Sequence, residues 1–470
     1  MYIHVVKQGE TLWQITTMYD TDINQVVLAN ALEDPSQLLV GEALIIPERD
    51  REYVVQAGDT LNQIAQTHGI TVEQLAEANH ITNPDFIYVG DVLYLPQFNH
   101  EVQVGETIWS LAIQYGLTAE DITQANQLIN PALIYPGEIL TIPRKQRPTI
   151  EVNAYTTRTG AQGSEEVRAL GRHFTYLSPF SYSINQDGTI TALDDDPVLE
   201  AASQTNTASL LVLTNFSEGR FDSDIAATLL RDANLQDTLI SHLLETITEK
   251  GYQGINIDFE YVYPEDRENY NNFLRRVVAR FRPQGLLVTT ALAPKESADQ
   301  SGLLYEAHDY ETQGKIVDFV IIMTYEWGWA GGSPLAIAPI NKMRDVLDYA
   351  ATVIQPSKIM LGVPLYGRDW KVPWIEGTVA RTVSPLEAIQ LAKAHQVEIH
   401  YNDMFQSPYF NYTDASGQQH EVWFEDARSV QAKYDIVKEY GLRGVSYWVL
   451  GSPFPQNWPV LQNNFQPQKH

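Results

Sequence analysis

The sequence contains no cysteine, which excludes a disulfide scaffold, a thiolate zinc site and catalysis by a thiol. It does not fix the compartment, because exported proteins can also lack cysteine. Long apolar runs are absent as well, so no segment reaches membrane-spanning length. The N-terminus shows no charged region followed by an apolar stretch, so either the chain has no secretory signal or one has been removed.

Positive charge is scarce, because 31 Lys and Arg residues face 59 Asp and Glu residues and give a formal net charge of -28. Such a chain repels nucleic acid and anionic membrane surfaces, so we expect a neutral or weakly charged ligand. The histidines lack metal-ligand spacing, so we expect no metal, and no cofactor is indicated. The 470 residues suffice for several domains with sizeable cores, and we expect a monomer.

Three similar segments open the chain, and they begin HVVKQGETLW, YVVQAGDTLN and HEVQVGETIW. Each has a Gly at the same place, followed at a fixed distance by an Asn, a second Gly and a Pro. Matching offsets in three copies indicate a true repeat. Short β-branched runs and helically spaced apolar residues predict strand, helix, helix and strand in each copy, with capping pairs at Thr71–Gln74 and Thr118–Asp121.

Each repeat resembles the lysin motif (LysM), a small βααβ module that binds N-acetylglucosamine chains in peptidoglycan or chitin. The resemblance implies a sugar groove between the loop after the first strand and the loop before the second. The first of these loops supplies the candidate residues Gly9, Thr11, Leu12, Gly58, Thr60, Leu61, Gly105, Thr107 and Ile108. Turn and cap chemistry explains the glycines equally well, whereas the loops as a whole favour binding. Trp13 and Trp109 correspond to Asn62, so the three sites need not be equivalent.

Beyond a polar linker, RKQRPT at 144–149, strands and helices alternate over about 320 residues, a length typical of a barrel. We predict an α/β fold, a (β/α)8 TIM barrel, with a small α+β insertion at 371–425. The predicted strands cover 149–155, 173–180, 209–216, 254–260, 286–293, 317–325, 359–366 and 444–450. The predicted domains are three LysM modules at 1–48, 51–97 and 99–144 and the barrel at 149–470.

The stretch GINIDFE, 254–260, alternates apolar residues with Asn256, Asp258 and Glu260. In a parallel barrel alternate side chains point inward, so these three face the interior, with Glu260 at the C-terminal mouth where barrel active sites lie. Acidic groups in a packed interior are costly unless they are hydrogen-bonded or functional. A buried structural pair is the alternative, and acid/base chemistry is favoured over it.

Residues 253–260 resemble the Asp-Gly-x-Asp-x-Asp-x-Glu signature of family 18 glycoside hydrolases. The resemblance places Glu260 as the general acid/base and Asp258 as the residue that holds the substrate acetamido group. Asn256 replaces a family aspartate and is expected to lie among the substrate-binding residues. It can hydrogen-bond Asp258 without adding charge, so we expect altered pH behaviour with activity kept.

Other motifs agree with this family. MTYEWG, 323–328, resembles the family's Met-x-Tyr motif, which implies that Tyr325 contacts the acetamido oxygen, and Glu326 stands where the family usually has Asp. Tyr366 and Arg368 are expected sugar contacts, and Trp448 is the expected floor beneath the cleaved sugar. For Tyr366 and Trp448 the alternative is ordinary barrel packing.

The resemblance implies retaining, substrate-assisted hydrolysis after N-acetylglucosamine in a peptidoglycan or chitin-type polysaccharide. LysM repeats joined to this barrel resemble the spore cortex-lytic N-acetylglucosaminidases of endospore-forming bacteria. That implies a place in the spore coat or cortex layers, or in the cell wall. A bacterial chitinase is the runner-up. A non-catalytic glycan-binding protein is a third possibility, and the presence of Glu260 argues against it.

Overall fold

Each repeat folds as two antiparallel strands and two helices in the computed structural model, which describes residues 1–49, 51–115, 117–143 and 147–469. The strands of the three repeats are Tyr2–Val5 with Ala43–Ile46, Glu52–Val54 with Val92–Tyr94, and Gln97–Glu101 with Ile139–Pro143. The helices are Leu12–Met18, Ile23–Ala29, Leu61–Thr67, Val72–Ala78, Ile108–Tyr115 and Ala119–Ala125. The predicted element order is confirmed in all three copies.

Helix caps set the start of most repeat helices. The Thr71 hydroxyl accepts from the Gln74 backbone N–H, and the Gln74 side-chain oxygen accepts from the Thr71 backbone N–H. This reciprocal pair is a capping box. The same arrangement joins Thr118 and Asp121. Both predicted capping pairs are therefore confirmed.

The remainder of the chain forms a closed barrel of eight parallel strands. In chain order they are β1 (Thr149–Thr156), β2 (Tyr176–Pro179), β3 (Ala208–Thr214), β4 (Gly254–Asp258), β5 (Leu287–Leu292), β6 (Phe319–Ile322), β7 (Ile359–Pro364) and β8 (Gly444–Trp448). Each pairs with the next, and β8 pairs with β1, which closes the ring. The TIM-barrel prediction is confirmed, with strands shorter than expected at several ends.

Helices surround the barrel. They are Ala161–Leu170, Asp196–Gln204, Ser223–Arg231, Ala233–Lys250, Arg267–Phe281, Tyr310–Ile316, Ile340–Val353, Ala427–Tyr440 and Asn457–Asn464. Short strands at the barrel margins are Tyr182–Ile184, Ile190–Thr191, Phe216–Ser217, Arg220–Phe221 and Gln466–Pro467. Single 3-10 turns are Gly171–His173, Pro264–Asp266, Arg282–Gln284 and Pro356–Lys358. Within the described ranges, no helix is long and apolar enough to cross a membrane.

The insertion after β7 is a five-stranded antiparallel sheet with one helix. Its strands are Gly367–Val372, Arg381–Val383, His400–Asn402, Ser407–Thr413 and Gln419–Trp423, and its helix is Pro385–His395. The predicted α+β character is correct. The sheet begins a few residues earlier than 371, because Gly367–Val372 pairs directly with Gln419–Trp423.

The first two repeats are docked on the barrel domain. Ile45 of the first repeat and Val92 of the second are buried in the same apolar cluster as the barrel helices. The Gln456 side chain donates to Asn30 Oδ1 at 2.9 Å, and Arg172 pairs with Asp91 at 2.7 Å. A Cβ on Gly41 would overlap the carbonyl oxygen of Ile399 in the insertion, so only glycine fits there.

The polar segment 144–149 is predicted to link the repeats to the barrel. Residues 144–146 of the predicted linker lie outside the described residues. The limits of the four predicted domains stay a prediction.

Candidate active site

The predicted site residues gather at the C-terminal mouth of the barrel. Glu260 lies two residues beyond the end of β4, and Tyr325 lies three residues beyond β6. Trp448 is the last residue of β8. On the opposite face of β4, Phe259 stacks on Tyr270 of the helix Arg267–Phe281 at a ring distance of 5.5 Å. The side chains of GINIDFE therefore alternate between the barrel interior and the surrounding helices, as predicted.

Asp258 and Glu260 form a close acidic pair. Asp258 is only 4% exposed, and its Oδ1 has no hydrogen-bond partner among the described residues. Burial raises the pKa of Asp258 above its ordinary value. Burial, then the Asp258 charge and then the Glu326 charge raise the pKa of Glu260 well above its ordinary value. A carboxyl that keeps its proton beside a second carboxylate is suited to acid/base chemistry.

Tyr325 is nearly buried beside this pair. It is 9% exposed, and burial, followed by the charges of Asp258, Glu260 and Glu326, raises the pKa of its hydroxyl. The hydroxyl therefore stays protonated at neutral pH and remains a hydrogen-bond donor. Its neighbour Gly362 on β7 leaves room for the ring, because a Cβ there would lie 2.7 Å from Tyr325 Cε1.

Asn256 does not have the expected partner. It is fully buried, its Oδ1 accepts from the Tyr155 hydroxyl at 2.8 Å, and its Nδ2 donates to Thr289 Oγ1 at 2.9 Å. The predicted hydrogen bond from Asn256 to Asp258 is absent from the contacts of the described residues, and the side chain instead links Tyr155 to Thr289. A contact between Asn256 and the substrate stays a prediction.

Glu326, Tyr366 and Arg368 form one cluster. Glu326 Oε1 accepts from the Tyr366 hydroxyl and from Arg368 Nη2, the latter at 2.7 Å. Glu326 adopts a positive φ of 68°, an uncommon conformation for a residue other than glycine. Tyr366 is 3% exposed, so its ring packs in the barrel while its hydroxyl orients Glu326.

Tyr155, at the end of β1, is a site residue that the sequence did not reveal. Besides bonding Asn256, its ring packs edge-on against Trp448 with centroids 5.4 Å apart. Trp448 also contacts Phe180 at 4.9 Å. A tyrosine inside a buried strand carries no local signal of this role, because its partners come from strands far away in the sequence.

Two further residues fix the backbone around Glu260. The Asn215 side chain accepts from the Glu260 amide at 3.0 Å and donates to its carbonyl at 2.9 Å. His308 Nδ1 accepts from the Ala293 amide at 2.7 Å, so its Nε2 carries the proton and donates to the Phe259 carbonyl at 2.9 Å. Burial lowers the pKa of His308 to about 4, which keeps this neutral form.

In the LysM loops, most of the predicted side chains serve the module itself. Gly9, Gly58 and Gly105 have φ between 81° and 90°, the turn conformation that favours glycine. The hydroxyls of Thr11, Thr60 and Thr107 each accept from an amide in the first helical turn. The side chains of Leu12, Leu61 and Ile108 are buried in the module cores, and glycan binding at these positions stays a prediction.

Both the barrel and the three repeats match known protein families. Residues 173–452 match the glycosyl hydrolases family 18. Residues 4–47, 53–96 and 100–143 match the LysM domain.

Several similar proteins come from Bacillus species. The cortical fragment-lytic enzyme of Bacillus subtilis (strain 168) is 44% identical over 470 residues, which cover 99% of this chain and 98% of that protein. The crystal structure of the Bacillus megaterium QM B1551 spore cortex-lytic enzyme SleL superposes with a TM-score of 0.78 at 34% identity, covering 100% of this chain and 99% of that one. The Bacillus cereus spore cortex-lytic enzyme SleL gives 0.77 at 38% identity, with 100% and 98% covered.

Proposed function

Because this chain belongs to glycosyl hydrolase family 18 and carries three LysM domains, we propose that it cleaves peptidoglycan after N-acetylglucosamine, with spore cortex fragments as substrate. The chain is a glycoside hydrolase. The main observation behind this proposal is the buried pair of Asp258 and Glu260 at the C-terminal mouth of the barrel, with Tyr325 beside it. The name of the Bacillus subtilis relative supports cortex fragments as the substrate.

The proposed reaction is retaining and assisted by the substrate. The protonated Glu260 carboxyl gives its proton to the glycosidic oxygen as the bond from C1 to that oxygen breaks. The 2-acetamido oxygen of the same sugar attacks C1 and forms an oxazolinium ion. Asp258 and Tyr325 orient the acetamide, and the Asp258 carboxylate offsets the positive charge. Glu260, now ionised, takes a proton from water as the water opens the ring, so the configuration at C1 is retained.

The surrounding side chains hold the sugar in this proposal. Trp448 provides an apolar floor beneath the sugar that is cleaved, and the cluster of Glu326, Tyr366 and Arg368 contacts its hydroxyl groups. The LysM repeats bind the glycan polymer and keep the enzyme in the spore coat or cortex layers, or in the cell wall. Several weak sites on one chain gain avidity when they engage one polymer.

Mass spectrometry of the products tests the proposal. Incubation with purified cortex fragments is expected to give new reducing ends that carry N-acetylglucosamine, because the proposed cleavage falls after this sugar and uses its acetamido group. Chitin oligomers, incubated in parallel, are expected to be cut more slowly. New reducing ends on the muramic sugar, or cleavage of chitin in preference to cortex fragments, would contradict the proposal.

A further inference from the structure

The third repeat exposes an unusual amount of apolar surface. Seven of the nineteen strongly exposed large apolar side chains in the described part of the sequence lie in it, although it spans only about a tenth of the chain. Six of them surround its two loops and are called here the repeat-three rim: Val104, Trp109, Ile113, Ile129, Leu133 and Tyr135. A cluster of exposed apolar side chains is a feature of interaction sites.

The two loops that carry the rim lie side by side. Glu101 pairs with Ile139 at the end of the two-stranded sheet, so the loop after the first strand adjoins the loop before the second. Two backbone hydrogen bonds, Val102 N to Glu138 O at 2.9 Å and Gly137 N to Val102 O at 2.8 Å, hold them together. Trp109 and Ile113 are four residues apart on one helix and therefore share a face.

The corresponding positions in the first repeat are mostly polar. The residues that align with the rim are Gln8, Trp13, Thr17, Glu33, Gln37 and Leu39. The second loop of that repeat is also engaged, because Glu33 accepts from Gln390 at 2.7 Å and Leu39 packs against the insertion. Trp13 is 69% exposed, close to the 71% of Trp109, but it lacks apolar neighbours of this kind.

The second repeat is intermediate in the polarity of these positions, and it is also docked on the barrel domain. Its aligned residues are Ala57, Asn62, Gln66, Thr82, Phe86 and Tyr88. Thr82 donates to the Gln204 carbonyl at 2.6 Å, and Asp91 pairs with Arg172. By contrast, residues 127–138 of the third repeat make no hydrogen bond or ion pair outside that repeat among the described residues.

We propose that the repeat-three rim carries most of the affinity for the polymer, whereas the first two repeats chiefly brace the catalytic domain. This rests on the proposed function. The occupant is a neutral polysaccharide of N-acetylated hexosamines, whose C–H faces and acetyl methyl groups fit an apolar rim. A second copy of the chain is disfavoured by charge, because residues 97–143 contain five acidic residues and no Lys or Arg: Glu101, Glu106, Glu120, Asp121 and Glu138.

Matched variants of the full chain test the proposal. Trp109→Asn installs the residue of the second repeat, and Ile129→Glu with Leu133→Gln installs those of the first. Both are expected to weaken cosedimentation with insoluble cortex peptidoglycan by about tenfold or more, since exposed aromatic and apolar anchors dominate such interfaces. The matched control Trp13→Asn is expected to change it by less than about threefold. All the altered side chains are exposed, so thermal unfolding is expected to be unchanged.

Each result has one meaning. If both third-repeat variants cosediment with the polymer as well as the wild type does, the inference is overturned and the proposed hydrolysis stands. The same holds if Trp13→Asn loses as much binding as the third-repeat variants do. A wild-type protein that fails to cosediment removes polymer binding from the proposed function, and the inference falls with it. A wild-type dimer in sedimentation velocity that becomes a monomer in the third-repeat variants would assign the rim to self-association and also overturn the inference.

Discussion

Replacing Glu260 by Gln is expected to lower the turnover number on soluble cortex fragments by on the order of 10²-fold or more. Gln keeps the shape of the side chain and can still hydrogen-bond, but it has no proton to give to the leaving oxygen. Binding of the fragments is expected to stay near the wild-type value, because the loss falls on the transition state. Initial rates and a binding isotherm on the same fragments measure the two effects separately.

The pH profile strengthens this test. Cleavage requires a protonated Glu260, so the wild-type rate is expected to fall as pH rises through the pKa of that carboxyl. Burial and the charge of Asp258 raise this pKa, which moves the fall to higher pH. The residual activity of Glu260→Gln should lack this fall. The control Glu265→Gln changes an exposed glutamate nearby and is expected to keep both rate and profile. A Glu260→Gln enzyme with a near wild-type rate would assign the acid to another residue.

Replacing Asp258 by Asn is expected to lower the turnover number by roughly 10²- to 10³-fold, the range for losing one group that stabilises transition-state charge. Asn keeps the volume of the side chain but cannot offset the positive oxazolinium. Removing the Asp258 charge also removes one cause of the raised Glu260 pKa, so the fall in rate should move to lower pH. Initial rates across pH measure both effects.

The two effects of Asp258→Asn separate a catalytic role from a structural one. Loss of rate with an unmoved pH profile would show that Asp258 does not act on Glu260. An unchanged rate would remove Asp258 from the mechanism. Thermal unfolding provides the control for folding, because Asp258 Oδ1 has no hydrogen-bond partner among the described residues that Asn would lose.

The barrel could be predicted from sequence because its strands are short apolar runs separated by helical periodicity. Strand ends were less predictable. The segment predicted as 317–325 leaves the sheet after Ile322, where the chain turns toward Tyr325 and Glu326. The insertion strand Ser407–Thr413 was not predicted, although its sequence alternates the aromatic Phe410 and Tyr412 with polar residues, which is the signal for a strand.

Contacts between distant segments explain what the sequence could not show. Nothing near Asn256 indicates that Tyr155, about a hundred residues earlier, takes its amide oxygen. The sequence does not show that the first two repeats dock on the barrel either. Ala43, Val92 and Ile139 hold equivalent apolar positions in the three repeats, but only Ile139 is exposed. The position of the acidic pair followed from strand alternation alone, whereas the catalytic roles of its members stay a prediction.

The anomeric form of the first product tests the central claim most directly. Proton NMR spectra recorded during the early turnover of cortex fragments distinguish the initial product from its slowly formed anomer. Two displacements at C1, the first by the acetamido oxygen, predict that the new reducing end appears with the configuration of the bond that was cleaved. Initial appearance of the opposite anomer would mean a single displacement by water and would contradict the proposed mechanism for Glu260, Asp258 and Tyr325.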